Sequence, residues 1–154
     1  MPDINAISDF LAQPRLAFAG ASRDPKQFAN TVYRELRSHG HTMLPIHPAA
    51  ADIEGDACVT SPRALPQPVD GIVVMLPPAD ALPVVQAAVE SGIPRVWLHR
   101  GIGSPPVSAE AVQYCRDRGV AVVDGACPLM FLEPVGWFHR VHRSFRRRSF
   151  RPAA

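Results

Sequence analysis

Apolar residues recur along the chain with two periods, and the switches between them lay out alternating helices and strands. Behind Asp3, a helix-capping residue type, Ile4, Ile7, Phe10 and Leu11 fall at helical spacing and predict a short opening helix. Residues 16–19 are a short apolar run ended by Gly20, which reads as a strand entering a glycine turn that opens a helix. The helical pattern is clearest at 31–38, where Val32, Tyr33 and Leu36 share a side and Gly40 follows as the C-cap. Residues 41–46 form a second strand, stopped by His47-Pro48. From 49 to 68 the periodicity fades, leaving irregular structure with room for one short extra strand near 57–59. Residues 71–76, GIVVML, are a continuous β-branched run of the kind buried on both faces of a parallel sheet, and Pro77-Pro78 ends it. A helix follows over 79–91, with Leu82, Val85 and Val89 inward and Gly92 as cap. Residues 95–98 make the fourth strand, 107–118 a helix closed by Gly119, and 120–123 the fifth strand.

Strands alternating with helices over short connections imply right-handed crossovers and a parallel sheet. The predicted fold is therefore α/β: a three-layer, doubly wound, Rossmann-like sheet of about five strands with helices on both faces. The 17 prolines are expected at strand ends and in loops. A length of 154 residues with 47% hydrophobic and 19% charged residues suits one core. No apolar run approaches the roughly 18 to 20 residues that span a bilayer, and the N-terminus carries acids where a signal would carry bases. The expected location is the cytoplasm. Cys58, Cys115 and Cys127 are widely spaced without a CxxC, which suggests neither a disulfide framework nor a zinc ribbon.

The net charge of +2 conceals an asymmetry. Residues 1–138 hold all 14 acids and ten of the 16 basic residues, a formal −4, whereas 139–154 hold six arginines and no acid. Residues 1–138 are thus expected as one domain and 139–154 as a separate arginine-rich tail.

In an open parallel sheet the ligand crevice lies beyond the carboxyl ends of the strands. The loop GASRDPKQFAN after the first strand is the strongest candidate there: Gly20 supplies the turn, a helix N-terminus supplies free amides, and Ser22, Arg23 and Lys26 supply a hydroxyl and two cations for a phosphate. As a dinucleotide fingerprint it keeps only the first glycine of GxGxxG, and His47 stands where an acid would bond the adenosine ribose of NAD. NAD is disfavoured by that histidine, whereas CoA or NADP, with an extra ribose phosphate, tolerates it.

Three stretches together resemble the small CoA-binding proteins, whose domain also forms the N-terminal half of the succinyl-CoA synthetase α subunit: LAFAGASRDPKQFANTVYRELRSHGHTMLPIHP, VDGIVVMLPPADALPVV, and IPRVWLHRGI followed by GVAVVDGACPLMF. The resemblance covers about residues 12–133. It implies that Gly20, Ala21, Ser22, Arg23, Lys26, Phe28 and Asn30 line the pyrophosphate and pantetheine entrance. It further implies that His47 and Pro48 lie by the nucleotide and that Leu76, Pro77 and Pro78 touch the adenine side. The chain departs from the family at His47, where asparagine is usual, and at His99, where glutamine is usual. The resemblance implies CoA or acyl-CoA binding and supplies no catalytic machinery.

An alternative is an acyl-transfer enzyme in which Cys127, activated by His99, accepts an acyl group from CoA. A metal held by His47, His99 and Cys127 has suitable donors but no telling spacing. The arginine-rich tail suits either a solvated helix or a surface for RNA or another polyanion. Monomer and homodimer both remain open, and the expected partner is a small nucleotide ligand rather than a membrane.

Overall fold

Asp3 acts as its position predicts: its Oδ1 accepts the Asn5 N–H at 2.8 Å and caps α1, Ile4–Leu11. The buried stripe is narrower than the spacing implies, with Ile7 and Phe10 inside and Ile4 63% exposed. The computed structural model describes residues 3–99 and 107–132. The arginine-rich segment 139–154 and its boundary with the preceding chain lie outside those residues.

Five of the strands form one sheet: β1 (Arg15–Ala19), β2 (Thr42–Ile46), β5 (Gly71–Val74), β6 (Arg95–His99) and β7 (Ala121–Ala126). They run in the order β2-β1-β5-β6-β7, with every pairing parallel. Helices α2 (Phe28–Ser38), α3 (Pro78–Glu90) and α4 (Ala109–Asp117) supply the crossovers. Ile7, Phe10, Leu16, Phe18, Tyr33, Leu36 and Trp97 form the core under α1 and α2. Ala17, Ile72, Val74, Val85, Ala88, Ala111 and Cys115 form the other, under α3 and α4. The fold is thus the three-layer doubly wound Rossmann-like arrangement that the alternation predicts.

Four local expectations change. Residues 49–68 carry a two-stranded hairpin, β3 (Asp52–Ile53) with β4 (Asp56–Ala57), in place of a single short strand. Its two-residue turn, Glu54-Gly55, takes positive φ at both positions (51° and 82°), the geometry that matches strand twist. In α3 the buried stripe is Ala81, Val85 and Ala88, while Leu82 and Val89 are only partly covered. β7 continues to Ala126 through a bulge in which Leu98 pairs Asp124 but His99 pairs Ala126, leaving out Gly125. Finally, two prolines lie inside elements: Pro83 within α3 and Pro45 within β2. Pro45 is tolerated because β2 is the sheet edge, and the carbonyl on that side accepts the Val59 N–H at 3.1 Å.

The turn entering β2 gives stability a pH dependence. His41 Nδ1–H donates to the Gln13 carbonyl at 2.7 Å, and burial holds its imidazole pKa below the ordinary value, as it does for His99. A depressed folded pKa means that the unfolded chain binds more protons, so this stabilisation is complete above about pH 6.5 and is lost as pH falls through the folded values. Urea unfolding is expected to show a lower midpoint at pH 5 than at pH 7.5; identical midpoints would contradict the burial of these rings.

Candidate functional site

From β1 the chain crosses to β2 on one side and later to β5 on the other, so the direction of winding reverses between β1 and β5. There the C-terminal loops part and leave a crevice. Gly20 closes its floor. With φ +120° it lies so near the end of β5 that a Cβ would sit 2.2 Å from the Met75 carbonyl oxygen. Met75 N–H donates in turn to the Ala19 carbonyl at 2.8 Å, fixing the two chain ends together.

The helix does not open directly after this glycine. α2 starts at Phe28, and the intervening loop is held by its own polar groups. Ser22 Oγ accepts the Asp24 N–H at 3.0 Å, and Asp24 Oδ1 accepts the Lys26 N–H at 3.0 Å. Asn30, 1% exposed, locks the arrangement. Its Oδ1 accepts the Ser22 N–H at 2.8 Å, and its Nδ2 donates to the Ser22 carbonyl at 2.7 Å and to Glu54 Oε1 at 3.1 Å. Arg34 then joins the loop to the hairpin, reaching the Pro25 carbonyl at 3.0 Å and Glu54 at 2.6 Å. Asp56 anchors the hairpin to α2 by accepting from Tyr33 Oη at 2.5 Å and Arg37 Nη1 at 2.9 Å.

Two cavities open along the crevice. The larger, about 650 Å³, is lined by Gly20, Ala21, Ser22, His47, Pro48, Leu76, Thr60, Ser61 and Asp80, among others. The smaller, about 300 Å³, is lined by Gln27, Phe28, Val74, Met75, Leu76, Pro77, Pro78, Leu98, His99 and Ser108, among others. Leu76 belongs to both walls.

Ten of the residues expected at the ligand, counting His99, therefore face one cavity or the other. Arg23 and Lys26 are exposed and line neither. Asn30 also lines neither cavity and lies behind the loop, bonded to Ser22. Thr60 and Ser61 escaped the sequence reading because they come from the aperiodic segment; the parallel bridge of Val59 to Ile46 carries them to the crevice. Asp80 did have a signal, as an acid in the first turn of a helix that leaves β5 at the ligand end.

His47 Nδ1 accepts the backbone N–H groups of Ala49 (3.0 Å) and Ala50 (2.9 Å). That leaves Nε2 as the donor of the ring. His99 Nε2 is buried without a hydrogen-bond partner among the described residues, and burial keeps its imidazole neutral at neutral pH by lowering its pKa. Cys127 is 7% exposed, lines neither cavity and packs in the core with Trp97 and Ala126. Burial pushes its thiol pKa up, which outweighs the lowering by the Leu129 and Met130 amides. A protonated, packed thiol is a poor nucleophile, so the acyl-transfer alternative loses its activated group. His47 and His99 line different cavities, and among the described residues no group of three or more His, Cys, Asp or Glu is arranged to hold a metal. Among them, too, no helix is long and apolar enough to cross a membrane.

The same architecture recurs in known proteins. A conserved hypothetical protein from Pyrococcus furiosus superposes with a TM-score of 0.68 at 34% identity, over 77% of this chain and 98% of that one. A dinucleotide-forming acetyl-coenzyme A synthetase from Korarchaeum cryptofilum superposes with a TM-score of 0.61 at 25% identity, over 71% of this chain and 25% of its own. The uncharacterised protein YneT of Bacillus subtilis is 26% identical over 114 residues, 73% of this chain and 81% of that protein. Residues 15–133 match the family described as the CoA binding domain. The chain belongs to that CoA binding domain family.

Proposed function

We propose that this protein binds CoA or an acyl-CoA, with the nucleotide in the larger cavity and the pantetheine arm directed past Leu76 into the smaller one. The observation that carries this reading is the 650 Å³ cavity at the β1–β5 reversal, walled by the Gly20 turn and by His47. A donor at His47 complements a phosphate on the ribose, where a carboxylate would select the free hydroxyl of NAD. The likeness to a quarter of an acetyl-coenzyme A synthetase supports the same ligand class. Residues 1–138 act as the binding domain, and the role proposed is ligand binding without turnover.

Calorimetric titration with CoA, NADP and NAD tests the reading. CoA is expected to bind most tightly; micromolar NADP binding with no heat from CoA would sink it. Arg23→Ala and Lys26→Ala are each expected to weaken CoA binding by about 1 kcal/mol or less. Both side chains are exposed, so water and salt screen their attraction to a phosphate. The loss should shrink further at high salt, and affinity unchanged in both variants at low salt would remove these cations from the site.

A further inference from the structure

We infer that Glu54, in the turn of the β3–β4 hairpin, is a positioning residue for the ligand crevice, its carboxylate clamping both ends of the segment 22–25; the binding half of this inference rests on the CoA reading above. Among the described residues Glu54 is the only non-glycine with positive φ, at 51°. That conformation strains an L side chain, and a two-residue turn of this kind is best met by Asn-Gly or Gly-Gly. The turn itself therefore does not call for a glutamate. Nor does the side chain turn to water: it is 12% exposed.

One oxygen, Glu54 Oε1, accepts from Asn30 Nδ2 at 3.1 Å and from Arg34 Nη1 at 2.6 Å. Each donor passes the hold on to the loop. Asn30 bonds both the N–H and the carbonyl of Ser22, and Arg34 Nη1 also reaches the Pro25 carbonyl at 3.0 Å. The segment held in this way runs from Ser22, in the wall of the larger cavity, towards Gln27 and Phe28, in the wall of the smaller. Docking the hairpin on α2 does not require this carboxylate. Asp56 takes Tyr33 and Arg37, and Arg37 Nη1 donates to the Glu54 backbone carbonyl at 2.7 Å, a bond that any side chain at 54 retains. What the carboxylate adds is the hold on the loop, and a wall already in its binding arrangement binds more tightly than one that must first be ordered.

Glu54→Asn tests this, because asparagine suits the turn but is one methylene too short for the clamp. Two readouts are taken on the full chain, under conditions where circular dichroism shows each variant folded. Trypsin cleavage after Arg23 or Lys26, followed by mass spectrometry, reports opening of the loop without any ligand. It is expected to be about tenfold faster in Glu54→Asn, and to rise less in Arg34→Met, which cuts only the tie to Pro25. Calorimetric titration with CoA should give about tenfold weaker binding for Glu54→Asn, the factor for a loop in its binding arrangement a tenth of the time. Glu54→Gln keeps the length and an acceptor oxygen, and should stay within about threefold of wild type in both. Merely lowered stability would leave the affinity of the folded protein unchanged. Wild-type cleavage in Glu54→Asn overturns the clamp, and faster cleavage with unchanged CoA affinity overturns its role in binding. Failure of CoA to bind the wild type overturns the CoA reading and the binding role with it, whereas the cleavage comparison decides the clamp in either case.

Discussion

Gly20→Ala is expected to destabilise the protein by about 3 kcal/mol or more and to abolish ligand binding at the crevice. Two costs combine. At φ +120° the backbone occupies a region that an L side chain rarely adopts, beyond the left-handed helical well. The new Cβ would also meet the Met75 carbonyl oxygen at 2.2 Å and its carbon at 2.7 Å. Those are backbone atoms, unable to swing aside as a side-chain tip can. Met75 is tied to Ala19 by a 2.8 Å hydrogen bond directly beyond the paired residues Ala19 and Val74. Relief therefore requires the ends of β1 and β5 to part, which breaks the ladder where the crevice begins. Gly125→Ala is the control: its φ is +78°, but a Cβ there meets nothing within 4 Å, so only the conformational cost of about 1 kcal/mol remains. Urea unfolding of both variants separates the two effects, and a Gly20→Ala protein as stable as Gly125→Ala would disprove the clash.

This geometry changes what Gly20 means. A lone glycine in a βα turn is weak evidence for a phosphate, because the close approach of two parallel strands demands it whether or not a ligand is present. The functional weight passes to the cavity beside it, and to His47, whose Nδ1 is engaged by two backbone amides and whose Nε2 is left to donate.

Elements governed by neighbours in sequence were legible in the sequence. The run at β5 announced a strand buried on both faces, and all four of its residues are buried. Asp3 announced a cap, and it caps. What stayed hidden depends on partners far along the chain. The start of α2 at Phe28 is set by a loop whose lock, Asn30, bonds Ser22 on one side and Glu54 of a later hairpin on the other. The α3 face was misjudged because alanines carry its contact, and a reading weighted to bulky side chains passes over them. The β7 bulge hides behind Gly125, whose local signal is simply that of a turn. His99 stood out in sequence only as a residue at the ligand end of a strand. That its nitrogen is buried and unpaired is a property of the assembled wall.

Asn30→Asp replaces one NH₂ group with an oxygen and is expected to cost about 3 kcal/mol or more at pH 7. The Oδ1 side survives, since it only accepts from Ser22 N–H. On the other side, two donations become contacts between acceptors: the Ser22 carbonyl at 2.7 Å and the Glu54 carboxylate at 3.1 Å. At 1% exposure, no water enters to relieve them. Burial and the Glu54 charge raise the pKa of the introduced carboxyl in the folded state above its unfolded value of about 3.9. The electrostatic penalty is then absent below that value, grows as pH rises through the interval, and levels off above the folded pKa. Asn30→Ala gives up the bond from Ser22 N–H as well but adds no charge, so its cost relative to wild type should stay flat over the same range. Because Ser22 lines the larger cavity, both variants should also bind CoA less tightly, by loosening the loop rather than by removing a contact with the ligand. Unfolding free energies measured at pH 4 and pH 7 decide the matter: equal penalties for Asn30→Asp at both would show that Glu54 does not face this side chain across the lock.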